Sequence, residues 1–443
     1  MPLRTLRKHH SFWLSPRRWK RRLVFWGGGA AVGAAAVVFA LGSDRAHGLF
    51  HRLLLISPFL PLIVTPLGFA LVAYATRRIF PGSQGSGIPQ TMAALQLQAP
   101  GQRGKVLSLR IAFGKIGLTL VALLSGASVG REGPTVQIGA SLMHAFGGWA
   151  RFPRHELERG LILAGGAAGV AAAFNTPLAG IVFAIEEMSR SFEQRTSGTL
   201  LTGVVAAGVV SVALAGNYTY FGHTGATLPL DKAWLAVAMC GMAGGLLGGL
   251  FSRALIRASR GMPGRAGALM KEYPVAFAAG CGFVLALIGL LSGGLVYGTG
   301  YDEARGIVEG SARLPWDFGL LKLLATLASY LSGIPGGIFA PSLAVGAGFG
   351  QNIAAVMPYA PAGAVVVLGM VGYFAGVVQA PLTAFVIVME MTDSHEMVLP
   401  LMTTAFIAHV SSRLVCDRPL YKTLAENFLA AARGPAQDTS PSK

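Results

Sequence analysis

Charged side chains are scarce in this chain: only 12% of its 443 residues are Asp, Glu, Lys or Arg, whereas 53% are hydrophobic. It has three cysteines, which lie in or beside apolar segments without metal-ligand or disulfide spacing. Neither a G-x-x-x-x-G-K-S/T loop nor an H-E-x-x-H motif occurs, so nucleotide-driven transport and zinc-dependent hydrolysis lack their signatures. The sequence therefore predicts neither an enzyme nor a protein that holds a metal or a cofactor.

Long stretches without any charge occupy much of the chain instead. A helix needs about 20 apolar residues to cross a bilayer, and uncharged runs of at least that length recur at 23–43, 53–76, 161–185, 199–222, 233–252 and 273–301. A further run, 323–389, is too long for one helix and is broken by glycine and proline. Such breaks are tolerated in a membrane where protein or a water-filled cavity satisfies the backbone. We therefore expect an all-α, polytopic protein that passes through a cell membrane several times.

The net charge of +17 does not indicate nucleic-acid binding, because the basic residues flank the apolar runs. They gather in three segments, 1–22, 253–271 and 413–422. Basic flanks of membrane segments tend to face the cytoplasm. We therefore expect both termini in the cytoplasm, no nucleic-acid partner, and the lipid bilayer as the surroundings of the protein.

One stretch of the chain occurs twice. Residues 115–140 and 322–347 align without a gap and share ten identities in 26 positions, including Lys115 with Lys322. The match continues where 174–188 align with 378–392 and Glu186 falls on Glu390. Identity alone leaves open whether the copies run parallel or inverted. The predicted domains are a basic N-terminal arm (1–22), a first membrane repeat (23–217), a second membrane repeat (218–425) and a short tail (426–443).

The first copy is interrupted at Gly130-Arg131-Glu132-Gly133-Pro134. Glycines on both sides and a proline at the end fit a turn that opens a helix. Free N–H groups and the positive end of a helix dipole bind anions without a cationic side chain. Glu132 places a carboxylate where an anion would lie, so it predicts a tethered competitor that leaves when it takes a proton. The alternative is a structural ion pair between Glu132 and Arg131.

Two further breaks have related sequences. Gly337-Ile338-Phe339-Ala340-Pro341 occupies the same place in the second copy, without an acid, and offers the backbone N–H groups of Ile338 and Phe339. Gly85-Ser86-Gly87-Ile88-Pro89 begins another apolar segment and adds the Ser86 hydroxyl as a donor. Taken singly, residues 337–341 are more readily a kink for helix packing, and residues 85–89 are more often a turn. Because 337–341 is the partner of 130–134 in the duplicated unit, it favours a common anion site at the interface of the repeats.

Together with a late tyrosine, Tyr421 in R-P-L-Y, these motifs resemble the CLC family of chloride channels and transporters, in the same order and over about residues 23–425. The resemblance, to the prokaryotic exchangers in particular, implies an all-helical homodimer with two inverted repeats of broken helices in each subunit. It implies that Ser86 and Tyr421 hold chloride through their hydroxyls, helped by the amides of Ile338 and Phe339. Glu132 would be the external gate. An interfacial aromatic anchor is the commoner use of a tyrosine at a membrane edge.

Two consecutive acids, Glu186 and Glu187, close the uncharged run 161–185 and precede Arg190. An ion pair at a helix end explains them equally well from the residues alone. In the CLC resemblance, an acid at Glu187 is similar to the internal proton-transfer glutamate of exchangers, with Glu186 as its neighbour. The prediction is therefore an antiporter that exchanges chloride for protons. The sequence departs from many relatives at 90–92, where Gln, Thr and Met replace acids.

Three alternatives to exchange are weighed against it. A passive voltage- or pH-gated chloride channel of the same fold would keep the anion site without proton movement. A fluoride/proton exporter is disfavoured, because fluoride-selective relatives usually depart from the serine and G-R-E-G-P patterns kept here. A membrane enzyme with Glu132 and Glu187 as a carboxylate pair would need a nucleophile or metal cluster that the sequence does not offer.

Overall fold

The computed structural model describes residues 16–98, 100–150, 155–189, 194–216 and 219–433. In this part of the chain the secondary structure is helical, and extended backbone is limited to two isolated bridges. The first half contains α1 (Pro16–Ile56), α2 (Pro61–Arg78), α3 (Ile88–Gln96), α4 (Pro100–Arg103), α5 (Leu109–Leu124), α6 (Glu132–Trp149), α7 (His155–Phe174), α8 (Pro177–Phe183) and α9 (Gln194–Ala215). The second half contains α10 (Leu235–Ser259), α11 (Gly264–Glu272), α12 (Pro274–Leu291), α13 (Tyr301–Val308), α14 (Phe318–Leu331), α15 (Phe339–Val356), α16 (Ala362–Val378), α17 (Pro381–Thr392), α18 (Val398–Val415) and α19 (Leu420–Arg433).

The two halves repeat the same order and the same packing. In the first, α6 packs on α7 and α1 on α9; in the second, α15 packs on α16 and α10 on α18. The halves join where α2 packs on α12 and α8 on α17. Gly130 and Gly337, which occupy equivalent positions, pair in an antiparallel bridge, so the copies run in opposite directions where they meet. The fold is therefore two inverted repeats, as predicted.

Proline and glycine set where the broken helices begin. Pro89, Pro177 and Pro381 lie in the first turns of α3, α8 and α17. Proline is tolerated there because the first amides of a helix have no intrahelical acceptor. Pro134 and Pro341 are each the third residue of their helices, α6 and α15. The aligned prolines of the two copies thus start equivalent helices at equivalent places.

The helices around the breaks are largely buried. Among the described residues, five helices are long and apolar enough to cross a membrane by length and composition, namely Trp19–Ile56, Leu157–Phe174, Lys232–Ser259, Pro274–Leu291 and His395–Val415. Every residue from Ala364 to Val378 in α16 is buried, and α15 is buried from Phe339 to Gly348. The helix breaks are therefore surrounded by protein, which is the condition for irregular backbone at membrane depth.

The observed element ends differ slightly from the predicted domain limits. Helix α1 begins at Pro16, so the last part of the predicted arm (1–22) is helical, and residues 1–15 lie outside the described residues. Helix α19 continues to Arg433, past the predicted end of the second repeat at 425. The predicted boundary at 217–218 also lies outside the described residues.

Candidate functional site

The three glycine-rich breaks meet at one place. Gly130 and Gly337 exchange two backbone hydrogen bonds, each of 2.7 Å from N to O. Gly85 donates its N–H to the Ile334 carbonyl at 3.2 Å and accepts one from Gly336 at 3.1 Å. The helices that follow these breaks, α3, α6 and α15, therefore begin beside one another. Because each helix start presents unpaired N–H groups, the junction concentrates positive potential without a cationic side chain.

Glycine is required at this junction by close approach. A side chain at Gly133 would collide with the Ser86 hydroxyl, and its Cβ would lie 3.2 Å from the Cα of Gly337. Gly87, the N-cap of α3, has φ of +100°, and a Cβ there would lie 2.8 Å from Gln137 Cβ. Pro341 packs against Gly130 at comparable range, 3.2 Å from the position of a Cβ there. The predicted supporting residues of all three breaks thus shape one tightly packed junction.

A pair of buried lysines fixes loops in the two repeats. Lys115 Nζ donates to the carbonyls of Ser83 (2.8 Å) and Gly85 (2.6 Å), immediately before Ser86. Its repeat counterpart, Lys322, donates to Val296 and Gly298 at 2.9 Å each. Sequence alignment matches these lysines but assigns them no function. A lysine directed at successive carbonyls holds the loop and leaves the loop's N–H and O–H groups to point elsewhere.

The two predicted hydroxyl ligands lie together. Ser86 is 1% exposed and Tyr421, on α19, is fully buried. The Tyr421 hydroxyl faces that of Ser86, within electrostatic range of both Glu132 and Glu187. Apart from each other, neither oxygen has a hydrogen-bond partner in the protein. Buried hydroxyls normally find a partner, so this pair fits an anion that accepts from both.

Ile338 and Phe339 close the same site from the second repeat. Both are 1% exposed, and as the first residue of α15 Phe339 presents an amide without an intrahelical acceptor. The Phe339 ring lies 5.9 Å from the Tyr421 ring and is stacked on Phe174 at 6.0 Å. The amides are thus set beside aromatic rings.

Glu132 begins α6 and is fully buried. Its carboxylate lies beside two backbone amides, its own and that of Ala340, the second residue of α15. The side chain folds back over Gly130, where any Cβ would collide with Glu132 Oε2. A carboxylate at the starts of two helices from opposite repeats occupies a position suited to any small anion. Of the two amides, that of Ala340 was not predicted from the sequence.

A tyrosine and an arginine surround the Glu132 carboxylate. The Tyr220 hydroxyl donates a hydrogen bond to Glu132 Oε1 at 2.9 Å, and Tyr220 is 1% exposed. The Arg131 guanidinium lies 5.4 Å from the centre of the Tyr220 ring and forms an ion pair with Asp44 of α1 at 2.6 Å. Tyr220 belongs to the segment that connects the repeats. The next residue in that segment, Phe221, donates its amide to the Met391 carbonyl at 3.0 Å. Sequence reasoning missed it, because this segment has no counterpart in the repeat.

Glu186 and Glu390 cap helices of each other's repeat. Glu186 accepts the amides of Leu382 (3.1 Å) and Thr383 (2.6 Å) at the start of α17. Glu390 accepts those of Leu178 (3.2 Å) and Ala179 (2.7 Å) at the start of α8. The alignment of Glu186 with Glu390 therefore reflects a reciprocal pair of helix caps. These bonds give Glu186 a structural position, whereas the sequence groups it with the proton-transfer residues.

Glu187 lies in a π-helical turn, Ala184–Ser189, that continues α8. It is 4% exposed, whereas Glu186 beside it is only half-buried. Single π-turns inside helices are frequent at functional sites. The Tyr421 hydroxyl is in electrostatic range of both Glu187 and Glu132. The predicted partner Arg190 lies outside the described residues.

A cavity of about 300 Å³ reaches Ser86. Gly85 and Ser86 line it together with Leu255 and Ser259 of α10 and Phe428 of α19. Across the residues that the structure describes, no group of three or more His, Cys, Asp or Glu could hold a metal ion. The cavity gives a small anion a path to Ser86 through mainly apolar walls.

The two repeats are inverted and meet at paired helix breaks. A buried carboxylate and two buried hydroxyls lie at that junction. This arrangement defines a membrane transporter. The sequence profile of the voltage gated chloride channel family matches residues 68–413. The chain belongs to this family, the CLC proteins, as the motifs predicted.

Individual relatives are exchangers. The H(+)/Cl(-) exchange transporter ClcA of Citrobacter koseri is 31% identical over 425 residues, with 91% of this chain and 87% of the relative covered. ClcA of Yersinia pestis is 30% identical over 439 residues, covering 91% and 86%. It too is named an H(+)/Cl(-) exchange transporter. The chain therefore resembles the prokaryotic exchangers of the family.

Solved structures agree with the fold. The crystal structure of a slow cyanobacterial Cl⁻/H⁺ antiporter superposes with a TM-score of 0.78 at 26% identity, covering 94% of this chain and 99% of that chain. A CLC-type fluoride/proton antiporter gives a TM-score of 0.77 at 24% identity, with 91% and 97% covered. The second likeness shows the fold alone. The all-helical, inverted-repeat architecture predicted from the sequence is confirmed.

Proposed function

We propose that this protein exchanges chloride for protons across the membrane. The observation that carries the proposal is the buried Glu132 carboxylate at the starts of α6 and α15, where the breaks of the two repeats are paired. The names of its relatives, H(+)/Cl(-) exchange transporters, support the same activity.

Chloride would bind through partial charges only. The hydroxyls of Ser86 and Tyr421 have no protein partner apart from each other, and the amides of Ile338 and Phe339 lie at a helix start. Transport requires an anion to bind favourably and still leave. Donors of partial charge meet that requirement better than a lysine or arginine, whose full charge would hold the anion too firmly inside a membrane.

Glu132 would act as the gate through competition. As a carboxylate it takes the place beside the amides of Glu132 and Ala340 that a chloride ion would otherwise take. Protonation removes the negative charge that those amides and the Tyr220 hydroxyl attract. The neutral side chain then leaves the site, and chloride enters. Each proton taken up thus opens the anion site to chloride, which couples proton movement to chloride movement.

The proton would reach Glu132 from Glu187. Glu187 is buried, and the Tyr421 hydroxyl is in electrostatic range of both Glu187 and Glu132. Both observations support a proton route along these three side chains. Glu186, which accepts two amides of α17, we assign to helix capping. The channel alternative would keep the chloride site and dispense with this route.

Flux in liposomes distinguishes exchange from the channel alternative. Purified protein is reconstituted, a chloride gradient is imposed, and voltage is held at zero with potassium and valinomycin. Exchange predicts that protons move against their own gradient while chloride runs down. Chloride movement without proton movement would leave a channel or an uncoupled carrier, and the Glu187 route would be withdrawn.

Assembly and orientation follow from the family and remain part of the proposal. We propose a homodimer with one anion pathway in each subunit, placed in a prokaryotic inner membrane with both termini in the cytoplasm. The bacterial origin of the relatives supports the membrane, and the basic flanks support the orientation.

A further inference from the structure

A second cavity, of about 820 Å³, lies away from the anion site, at the C-terminal ends of α10 and α18. Its lining is dominated by arginine. These side chains come from the last turns of α10, from the end of α18 and from the loop after it: Arg253, Arg257, Arg260, Arg413 and Arg418. Asp417 is the one acidic residue of the lining. We call this group the arginine cleft.

The arginines of the cleft are directed to one place by helix geometry. Arg253, Arg257 and Arg260 are spaced by four and three residues, which puts them on one face of a helix. Arg253 Nη1 lies 3.4 Å from the Val415 carbonyl and so bridges the ends of α10 and α18. All five side chains are exposed, and among the described residues none forms an ion pair within 4 Å. Their charge is therefore available to a ligand.

The cleft also lies at the edge of the apolar zone. The two candidate spans that border it, Lys232–Ser259 and His395–Val415, end where the arginines begin. Basic residues at helix C-termini favour the helix dipole and one side of a membrane. That general preference accounts for one or two arginines on a helix. It does not account for five that surround a concave space with one acid.

We propose that the arginine cleft is a binding site for a ligand with two or more phosphate groups. The planar guanidinium fork binds phosphate through paired hydrogen bonds, and several forks around one cavity suit a multiply charged anion. Basic clefts between membrane helices at the headgroup level bind anionic lipids. The same chemistry would recognise a soluble diphosphate, so the test must separate the two sources.

The position of the cleft gives such a ligand a short path to the transport site. The last turns of α10 line both cavities: Arg253 and Arg257 face the cleft, and Leu255 and Ser259 face the cavity that leads to Ser86. Arg418 lies two residues before α19 begins and three residues before Tyr421. Binding is nevertheless proposed independently of exchange and is measured without flux.

The test is binding to the purified full-length chain in neutral detergent, followed by native mass spectrometry and titration calorimetry. The probes are cardiolipin, inorganic pyrophosphate and, as the reference without net charge, phosphatidylcholine. The variant Arg257→Gln with Arg413→Gln removes two charges from the cleft. The matched control, Arg77→Gln with Arg78→Gln, removes two exposed arginines from the last turn of α2.

Wild type should bind one of the two phosphate probes well above phosphatidylcholine. The cleft variant should bind it about thirtyfold more weakly, from two basic residues at the strength expected near an anionic surface; the control should match wild type. Cardiolipin binding that pyrophosphate does not displace identifies a lipid headgroup, and pyrophosphate binding well above that of cardiolipin identifies a soluble phosphate. If the glutamine variant does not fold, Arg257→Lys with Arg413→Lys keeps the charge, loses the forks and should still bind several-fold more weakly. Failure of both probes, or undiminished binding in the folded variants, overturns the proposal.

Discussion

The hydrogen bond from Tyr220 to Glu132 predicts how strongly the proposed gate is held closed. Tyr220→Phe removes only the hydroxyl. The ring keeps its contacts with Phe174 at 5.6 Å and Tyr301 at 4.9 Å, and stays under the Arg131 guanidinium. The substitution therefore isolates one donor to the carboxylate, at 2.9 Å in the intact protein.

The magnitude follows from the charge of the acceptor. A hydrogen bond to a charged group contributes about 1.5–3 kcal/mol, and about 1.4 kcal/mol corresponds to a factor of ten. The docked, charged Glu132 should lose roughly tenfold to a hundredfold of its advantage over chloride. Because the lost donor favoured the carboxylate form, protonation and release should occur at a higher pH. We expect the pH profile of chloride uptake to move upward by about one to two pH units.

Two measurements follow the gate. Chloride binding by calorimetry at neutral pH should be tighter in Tyr220→Phe, because the tethered competitor is weaker. The pH profile comes from chloride uptake into liposomes, measured from about pH 4 to about pH 9. Tyr301→Phe is the control, since that hydroxyl interacts with Arg305 at 3.2 Å and not with the gate.

The reasoning is refuted if Tyr220→Phe leaves both the chloride affinity and the pH profile of uptake unchanged. Glu132→Gln, measured beside it, separates the causes. If Glu132→Gln abolishes coupling while Tyr220→Phe does nothing, Glu132 is the gate and Tyr220 does not hold it. If neither changes transport, the gate itself is misassigned. In the Glu132→Gln background the tyrosine substitution should have no further effect on pH dependence.

The remaining predictions concern the gate, the proton route, the junction and the caps. Glu132→Gln should carry chloride without moving protons in the liposome assay, and persistent uphill proton movement would contradict a tethered competitor. Glu187→Ala should stop proton movement while chloride flux continues; if both fluxes stay linked, its role is structural. Gly133→Ala should weaken chloride binding and cost about 1–3 kcal/mol by overpacking against Ser86, whereas Gly148→Ala, with open space around it, should leave calorimetry and thermal unfolding unchanged. Glu390→Gln should lower thermal stability in detergent by about 0.5–2 kcal/mol, the range of a helix cap, with chloride affinity retained.

Sequence reasoning found the parts of the site that are written as local patterns. Glycine and proline mark the breaks because they open helices and allow close approach, so the segments around Ser86, Glu132 and Phe339 can be located from the amino-acid sequence alone. The repeat made the meeting of the Glu132 and Phe339 segments predictable. Their actual pairing, Gly130 with Gly337 and Gly85 with Ile334, depends on the inversion of the copies, which identity alone left undecided.

The parts that were missed depend on long-range placement. Tyr220 lies in a connecting segment without repetition, and nothing in its neighbours along the chain refers to Glu132. The Leu382 amide that Glu186 accepts lies 196 residues away along the chain. The Ala179 amide that Glu390 accepts lies 211 residues away. Two aligned acids predicted equivalence, but only the inverted arrangement exchanges their partners. Local patterns report a residue's type and spacing, and such contacts depend on neither.

The exchanged caps bear on the order in which this chain is made. The amide of Ala179 receives its acceptor only from Glu390, 211 residues further along. While the ribosome is still producing the second half, the start of α8 is already present and has exposed amides in or near the bilayer. The first half alone therefore lacks the acceptors that Glu390 supplies, and complete capping of α8 requires the second half.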